Sequence, residues 1–248
     1  MLPIVTNKRP LPPLIFIYGP SGIGKTTLAA SFPGALVLPV EVGAEQLDVA
    51  RMPTPKTWAE ALGFLDAVAA EPGEYRALVI DSVTALERLC FSFVAALNGK
   101  PTVESMGYGS GFPFVVAQWQ LFLDKLDVIK SRGLAVILIG HQSIITYADP
   151  RSEPYDRFSP RLHKCILPMT IEWADCLFCG SYKVFTDKNE GGGFNRERTR
   201  AVGGGERIMY ARELPTAVAK NRYGLPDEIT WGWADVFAGI SATFAPAK

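Results

Sequence analysis

The chain has 248 residues, of which 48% are hydrophobic and 20% are charged, so it can bury a substantial core within one α/β domain. Lysine plus arginine equals aspartate plus glutamate, 25 against 25, which excludes a global positive field that would attract a polyanion. No apolar stretch reaches the ~18 to 20 residues needed to span a bilayer, and residues 1–13 lack a long apolar signal region. We therefore expect a cytoplasmic protein without a membrane partner, in which any nucleic-acid binding is local.

The most specific motif directly follows the first predicted strand. The apolar run 14–18 predicts a buried strand, and residues 19–26 (GPSGIGKT) match the phosphate-loop pattern G-x-x-x-x-G-K-[ST]. Glycines let successive backbone N–H groups point toward a triphosphate, and a helix after Gly24 would place the phosphates at its N-terminus. Lys25 is predicted to reach the β and γ phosphates and Thr26 to bind Mg²⁺. The sequence therefore predicts a site for ATP and Mg²⁺ formed by Gly19, Pro20, Ser21, Gly22, Ile23, Gly24, Lys25, Thr26 and Thr27.

The following residues alternate predicted strands with predicted helices. The glycine- and proline-rich segment 98–113 interrupts this alternation and is predicted to be a long loop. Nearly all-apolar strands that alternate with helices indicate a parallel sheet covered on both faces. The predicted strands are 35–40, 77–80 and 134–139, and the predicted helices are 57–70, 84–97 and 114–131.

The last third of the chain changes in character. Strand-like segments at 173–185, 207–212 and 216–220 are joined by short or glycine-rich connections and are predicted to extend the sheet with antiparallel strands. Residues 186–206 are predicted to form a flexible hairpin or arm rich in glycine and arginine, and 231–240 a short closing helix. We find no linker to a second domain, and we expect one domain over 1–248, with 1–11 as an N-terminal segment.

Polar residues end several of the predicted parallel strands. Asp81 ends the strand 77–80, as the Mg²⁺-binding aspartate of a Walker B element does, while Glu41 and Gln142 follow two other strands. The carboxyl ends of parallel strands meet at one edge of a sheet, where ligands bind. We therefore expect these three side chains to converge on the phosphate loop and to form a catalytic site.

Several segments resemble RecA-family P-loop ATPases. Residues 78–86 (LVIDSVTAL) look like the Walker B segment of that family, and Glu41 falls where the family carries its water-activating glutamate. His141 and Gln142 fall where RecA-like proteins have a polar residue and a glutamine that senses the γ-phosphate. Residues 219–224 (AKNRYG) are similar to the Lys-Asn-Arg-Phe-Gly motif of RadA and the Lys-Asn-Lys of RecA. The resemblance covers roughly residues 12–232, and the chain is similar in size to phage-encoded RecA-core single-strand annealing ATPases.

The resemblance implies ATP hydrolysis at the boundary between subunits of a homo-oligomeric ring or filament. Glu41 would orient the attacking water, and Lys220 or Arg222 would complete the site of a neighbouring subunit. Glu45 stays an alternative base, because it follows Glu41 by only four residues, and His141 differs from the asparagine common in recombinases. The implied function is an ATPase that acts in DNA recombination, repair or strand annealing, encoded by a phage and working in the cytoplasm of its bacterial host.

Single-stranded DNA is the partner that the resemblance implies. Segments 98–113 and 143–164 are the predicted DNA-binding loops, and the second interleaves cations with aromatic side chains that can stack on bases. A plain surface loop and a disordered hairpin tip are the alternative interpretations of 143–164 and 186–206. The neutral chain predicts weak binding by one subunit, strengthened by assembly, with a single-strand-binding protein as a further partner. The candidate DNA contacts are Tyr147, Arg151, Arg157, Phe158, Arg161, Lys164, Arg196, Arg198 and Arg200.

Other functions share the same phosphate loop. A RadA- or DnaB-like helicase motor, a small-molecule or nucleotide kinase with 191–205 as its lid, and a nucleotide-gated assembly module are the alternatives. GTPases and AAA+ proteins are disfavoured, because the chain lacks an Asn-Lys-x-Asp signature and an adjacent Asp-Glu pair after the Walker B strand. A zinc site at His163, Cys165, Cys176 and Cys179 is also disfavoured, because Cys176 and Cys179 lie three apart in a predicted strand and would face opposite sides.

Overall fold

The computed structural model describes residues 11–41, 43, 46–183, 185–188, 199–202 and 205–240, and at 185–188 and 199–202 it describes the backbone alone. Residues 1–10, Glu45, Arg196 and Arg198 lie outside the described residues. The predictions made for them stay predictions.

A ten-stranded sheet forms the centre of the fold, in the order β12-β10-β7-β1-β5-β4-β2-β3, with β11 paired to β7 and β6 paired to β5. The neighbouring pairs from β7 to β3 are parallel, whereas β10, β11 and β12 join by antiparallel pairing. The predicted α/β class, with a mostly parallel sheet and late antiparallel strands, is confirmed. The strands are β1 (Leu14–Gly19), β2 (Ala35–Pro39), β3 (Ala50–Arg51), β4 (Ala77–Asp81), β5 (Ala135–Tyr147), β6 (Tyr155–Pro160), β7 (Cys176–Tyr182), β10 (Arg207–Tyr210), β11 (Lys220–Asn221) and β12 (Glu228–Thr230), and β8 (Phe185–Lys188) pairs with β9 (Thr199–Val202) in a separate hairpin.

Helices cover both faces of the sheet. Alternate residues of β1 show why both faces need cover, since Phe16 and Ile17 are both fully buried but belong to the cores on opposite faces. Each such buried side chain contributes ~1.5 to 3 kcal/mol relative to an exposed one. One core packs α2 (Trp58–Ala70), α3 (Val83–Leu97), α4 (Phe112–Ser131) and α5 (Leu167–Trp173), and the other packs α1 (Lys25–Ala30) and α6 (Ala234–Gly239).

Three sequence predictions about secondary structure are wrong. Segment 143–164 is not a loop, because β5 continues to Tyr147 and pairs with β6 as an antiparallel hairpin. The strand predicted at 173–185 begins only at Cys176 and is parallel to β1, because α5 occupies the residues before it. The strand predicted at 216–220 is reduced to β11, Lys220–Asn221. The loop predicted at 98–113, by contrast, is present, with one 3-10 turn at Glu104–Met106, although α4 begins two residues early, at Phe112.

The lengths and apolar content of the helices were compared with what a membrane-spanning helix requires. Within the described ranges, we find no helix whose length and apolar content would let it cross a bilayer.

Candidate nucleotide-binding site

The phosphate loop connects β1, in the middle of the sheet, to α1. Gly24 precedes α1 with φ 95° and ψ 28°, a left-handed conformation that glycine adopts without the strain of a side chain. The N-terminus of α1, at Lys25, is thereby turned toward the carboxyl edge of the sheet. The strand, loop and helix predicted from the motif are therefore present in the predicted order.

Lys25 is held inside this loop by main-chain oxygens. Its side chain is buried, and Nζ donates hydrogen bonds to the carbonyls of Gly19 and Pro20, each at 2.9 Å. Burial lowers the pKa of Lys25, while the nearby carboxylates of Asp81 and Glu41 act in the opposite direction. The ammonium therefore gains from any further anion that comes within reach, which is the property a phosphate-binding lysine requires.

Asp81 and Thr26 together offer oxygen ligands for a magnesium ion. Thr26 Oγ1 donates a hydrogen bond of 2.6 Å to Asp81 Oδ2, and the carboxyl group is almost fully buried. Burial raises the pKa of Asp81 despite that hydrogen bond. A hydroxyl and a carboxylate at this spacing suit the hard oxygen coordination of Mg²⁺, so the residues present fit the predicted metal.

Glu41 lies beside these groups and contacts a histidine. His141 Nε2 is 3.1 Å from Glu41 Oε1, and both side chains are partly exposed to a cavity of about 380 Å³. The register explains the meeting, because Pro39 pairs with Asp81 and Asp81 pairs with Ile139 across neighbouring parallel strands. The cavity is lined by Ser21, Gly22, Gly24, Lys25, Thr26, Thr27, Glu41, Asp81, Ile139 and His141.

His141, rather than Gln142, occupies the position next to the nucleotide cavity. Side chains alternate along β5, so Ile139 and His141 share the face that lines the cavity, and Gln142 is not among the lining residues. The sequence analysis identified His141 and Gln142 together but assigned the γ-phosphate-sensing role to Gln142. The pairing register of β5 with β1 and β4 decides which of the two side chains faces the cavity.

The backbone of His141 is also connected to the hairpin and to α3. Its N–H donates to Thr84 Oγ1 at 3.0 Å, and the same hydroxyl donates to the Arg161 carbonyl at 3.2 Å. The N–H of Arg161 in turn donates to the His141 carbonyl at 2.9 Å. The sequence analysis did not identify Thr84 as a site residue, yet its hydroxyl ties the nucleotide edge to the end of the hairpin.

Lys220 and Arg222 lie away from the cavity, at the amino edge of the sheet. Lys220 Nζ donates to the carbonyls of Ile171 and Glu172 at 2.8 and 2.7 Å, near the C-terminus of α5. Arg222 donates to Asp175 Oδ1 at 3.1 Å and to the Glu172 carbonyl at the same distance. Both cations thus have partners within their own chain, and their action on a neighbouring subunit stays a prediction.

The hairpin residues predicted to contact DNA differ in how free they are. Arg157 stacks over the Tyr147 ring at 4.0 Å and pairs with Glu213 at 3.0 Å, and its side chain is only 15% exposed. Arg151, at the turn, is bonded to Asp149 but is largely exposed. The side chains of Arg161 and Lys164 are exposed, Phe158 is partly buried against the core, and the side chain of Arg200 is not described.

Comparison with known proteins assigns the chain to a family. The family model described as an AAA domain matches residues 12–223, a range that includes the phosphate loop, Asp81 and the hairpin. A search of curated proteins found no match. The expectation that AAA-type proteins are disfavoured is therefore corrected: the missing Asp-Glu pair does not exclude this family. With the match over most of its length and the nucleotide site at the carboxyl edge of its parallel sheet, the chain belongs to the AAA domain family of P-loop ATPases.

Proposed function

We propose that this ATPase binds single-stranded DNA through the β5–β6 hairpin and the segment directly after it, which carries Arg161 and Lys164, and couples that binding to ATP hydrolysis, in recombination, repair or strand annealing. The observation that carries the proposal is the continuity of β5. This strand places His141 in the nucleotide cavity and, six residues later, ends in the hairpin turn. We expect a shift of β5 at the hairpin to be transmitted to the nucleotide cavity, and the reverse, because hydrogen bonds with Thr84 and Arg161 hold the backbone of His141 between the two.

The residues that line the cavity have different roles in the proposed hydrolysis. Mg²⁺, when bound, supplies charge that stabilises the phosphoryl group in transfer. Thr26 and Asp81 would hold the metal, and Lys25 and the N–H groups of the loop would bind the phosphates. Glu41 orients the attacking water and takes its proton, and the hydrogen bond from His141 sets the position of the carboxylate.

Assembly into a ring or filament completes the proposal. Trans cations in P-loop ATPases contribute ~10³- to 10⁵-fold in rate, so a monomer that depends on one is nearly inactive. Lys220 and Arg222 are the candidates from the family resemblance, and Arg222 is half exposed beside its carboxylate partner. A specific activity that rises with protein concentration supports this part of the proposal, and one that is constant in a monomeric sample contradicts it.

The test of DNA coupling is ATP turnover at low salt with and without single-stranded DNA. We expect stimulation by DNA, and we expect the R161A/K164A variant to bind DNA more weakly, with the slope of log K against log salt reduced by ~1.4 for two lost phosphate contacts. K56A/R132A removes the same charge from exposed positions elsewhere and is the matched control.

Three results would separate the alternatives. The absence of both DNA binding and stimulation by DNA at low salt contradicts the proposal. Turnover that needs an added phosphoryl acceptor and ignores DNA indicates a kinase instead. Unwinding of a forked duplex indicates a helicase motor rather than an annealing protein.

A further inference from the structure

The order of strands in the sheet predicts how a nucleotide bound at the phosphate loop would be oriented along the carboxyl edge. The groups that serve the γ-phosphate lie on β4, after β2 and on β5, all on one side of β1 in the sheet. On the other side of β1 are β7, β10 and β12. Since the phosphate loop follows β1, a nucleotide whose γ-phosphate faces Asp81 and Glu41 extends its ribose and base toward β10 and β12.

Arg207 and Trp231 occupy that side of the loop. Arg207 is the first residue of β10 and pairs with Tyr182 at the carboxyl end of β7, which places it at the same edge as the phosphate loop. Its guanidinium donates a hydrogen bond to the Ile23 carbonyl at 3.1 Å. Trp231 directly follows β12, and its ring centroid is 5.6 Å from Cζ of Arg207.

Two glycines let this pair sit against the loop. A β-carbon at Gly24 would lie 2.7 Å from a terminal nitrogen of Arg207 and 3.9 Å from Nε1 of Trp231. A β-carbon at Gly180, on β7, would lie 2.7 Å from the Trp231 ring. The ring therefore rests on the β7 backbone beside β1, and a side chain at Gly180 or Gly24 would require the ring or the guanidinium to shift.

Arg207 forms no ion pair with a carboxylate within the described part of the chain. The nearby Glu206 and Glu228 pair with Lys183 instead. Both Arg207 and Trp231 are accessible to solvent. The guanidinium lies over the Trp231 ring, and a planar cation backed by an aromatic ring is a surface on which a flat nucleobase stacks.

We propose that Arg207 and Trp231 form the subsite for the nucleobase of the bound nucleotide, with the guanidinium of Arg207, backed by the Trp231 ring, as its stacking surface. The role is one of affinity and nucleotide selection, because neither residue reaches the groups around the γ-phosphate. The inference rests on nucleotide binding at the phosphate loop and is independent of the proposed action on DNA.

The test compares ATP with inorganic tripolyphosphate, which has the phosphates but no base, by calorimetry in the presence of Mg²⁺. We expect W231A to bind ATP about tenfold more weakly, equivalent to ~1.4 kcal/mol, and to bind tripolyphosphate as the unchanged protein does. W231F keeps an aromatic surface and should recover most of the ATP affinity. W173F, a partly exposed tryptophan at the amino edge, is the matched control and should change neither ligand.

Two outcomes would overturn the subsite. An equal loss of ATP and tripolyphosphate affinity in both W231A and W231F means that Trp231 only supports the shape of the loop. Unchanged ATP affinity in W231A means that the base binds elsewhere. Failure of the unsubstituted protein to bind either ligand is distinguishable from both, because it would refute nucleotide binding at the loop itself.

Discussion

Charged residues cluster at both edges of the central sheet, but they are neutralised differently. At the amino edge, Asp175 accepts hydrogen bonds from Lys130, Arg222, Tyr223 and the N–H of Leu14. Burial alone would raise the pKa of Asp175, yet these donors together lower it. At the carboxyl edge the balance is reversed, since burial raises the pKa of Asp81 and lowers that of Lys25.

The difference separates a structural cluster from a functional one. A carboxylate with all its donors in place is stable as an anion and has no capacity for a ligand. Buried groups whose charged forms are disfavoured gain when a ligand of opposite charge arrives, and such groups mark binding and catalytic sites. Substitutions at the two edges should therefore have opposite consequences for stability and activity.

The largest expected effect is on catalysis at the carboxyl edge. E41Q removes the base but keeps the size of the side chain, so we expect the turnover number to fall ~10²- to 10³-fold while ATP still binds. Steady-state hydrolysis and ATP calorimetry measure the two quantities. E71Q, an exposed glutamate between α2 and β4, is the control; an E41Q enzyme with normal turnover would show that Glu41 is not the base and return attention to Glu45.

The next effect is on stability at the amino edge. D175A leaves Lys130 and Arg222 without their carboxylate, and because Arg222 is half exposed we expect a loss of about 2 to 3 kcal/mol in the free energy of unfolding. Urea denaturation measures it.

The same carboxylate predicts a pH dependence. Because the folded pKa lies below the unfolded one, the stabilising effect of Asp175 is fully present above about pH 4 and is lost as the pH falls through the folded value. The stability gap between the unsubstituted protein and D175N should close over that acidic range, and a gap independent of pH would refute the ionic origin of the effect.

A smaller loss of activity is expected at His141. H141F removes the hydrogen bond that positions Glu41, so we expect turnover to fall about tenfold with little change in KM. H141Q can still donate to Glu41 and should recover part of the rate. H163F is the control, because His163 lies at a different cavity, under α3; an equal loss in H141F and H163F would indicate general damage.

The smallest expected effect is on stability at the carboxyl edge, where the change should be opposite in sign to the loss expected for D175A. D81N keeps an oxygen acceptor for Thr26 but removes a buried charge, so the nucleotide-free protein should gain about 1 kcal/mol in the free energy of unfolding while it loses Mg²⁺-dependent turnover. The gain should be largest above the raised folded pKa of Asp81 and should vanish below about pH 4, where both states of the unsubstituted protein bind the proton. A destabilised D81N would mean that both edges are structural.

Local patterns in the sequence were sufficient for the phosphate loop, for Asp81 and for the parallel strands. The loop is recognisable because its pattern fixes the glycines, the lysine and the hydroxyl that a phosphate-binding loop requires, and β1, β2 and β4 are continuous apolar runs because both of their faces are buried. The class of the fold follows from the alternation of such strands with helices.

Tertiary structure decided which residues meet. The choice of His141 over Gln142 depends on the register of β5, the partners of Lys220 and Arg222 depend on where α5 ends, and Arg207 comes next to Gly24 from 183 residues along the chain. The continuation of β5 into a hairpin depends on pairing with β6, which no single segment encodes. Sequence alone therefore determined the phosphate-loop motif and the architecture, whereas pairing between distant strands determined which side chains line the cavity, because long-range register is set by the whole sheet.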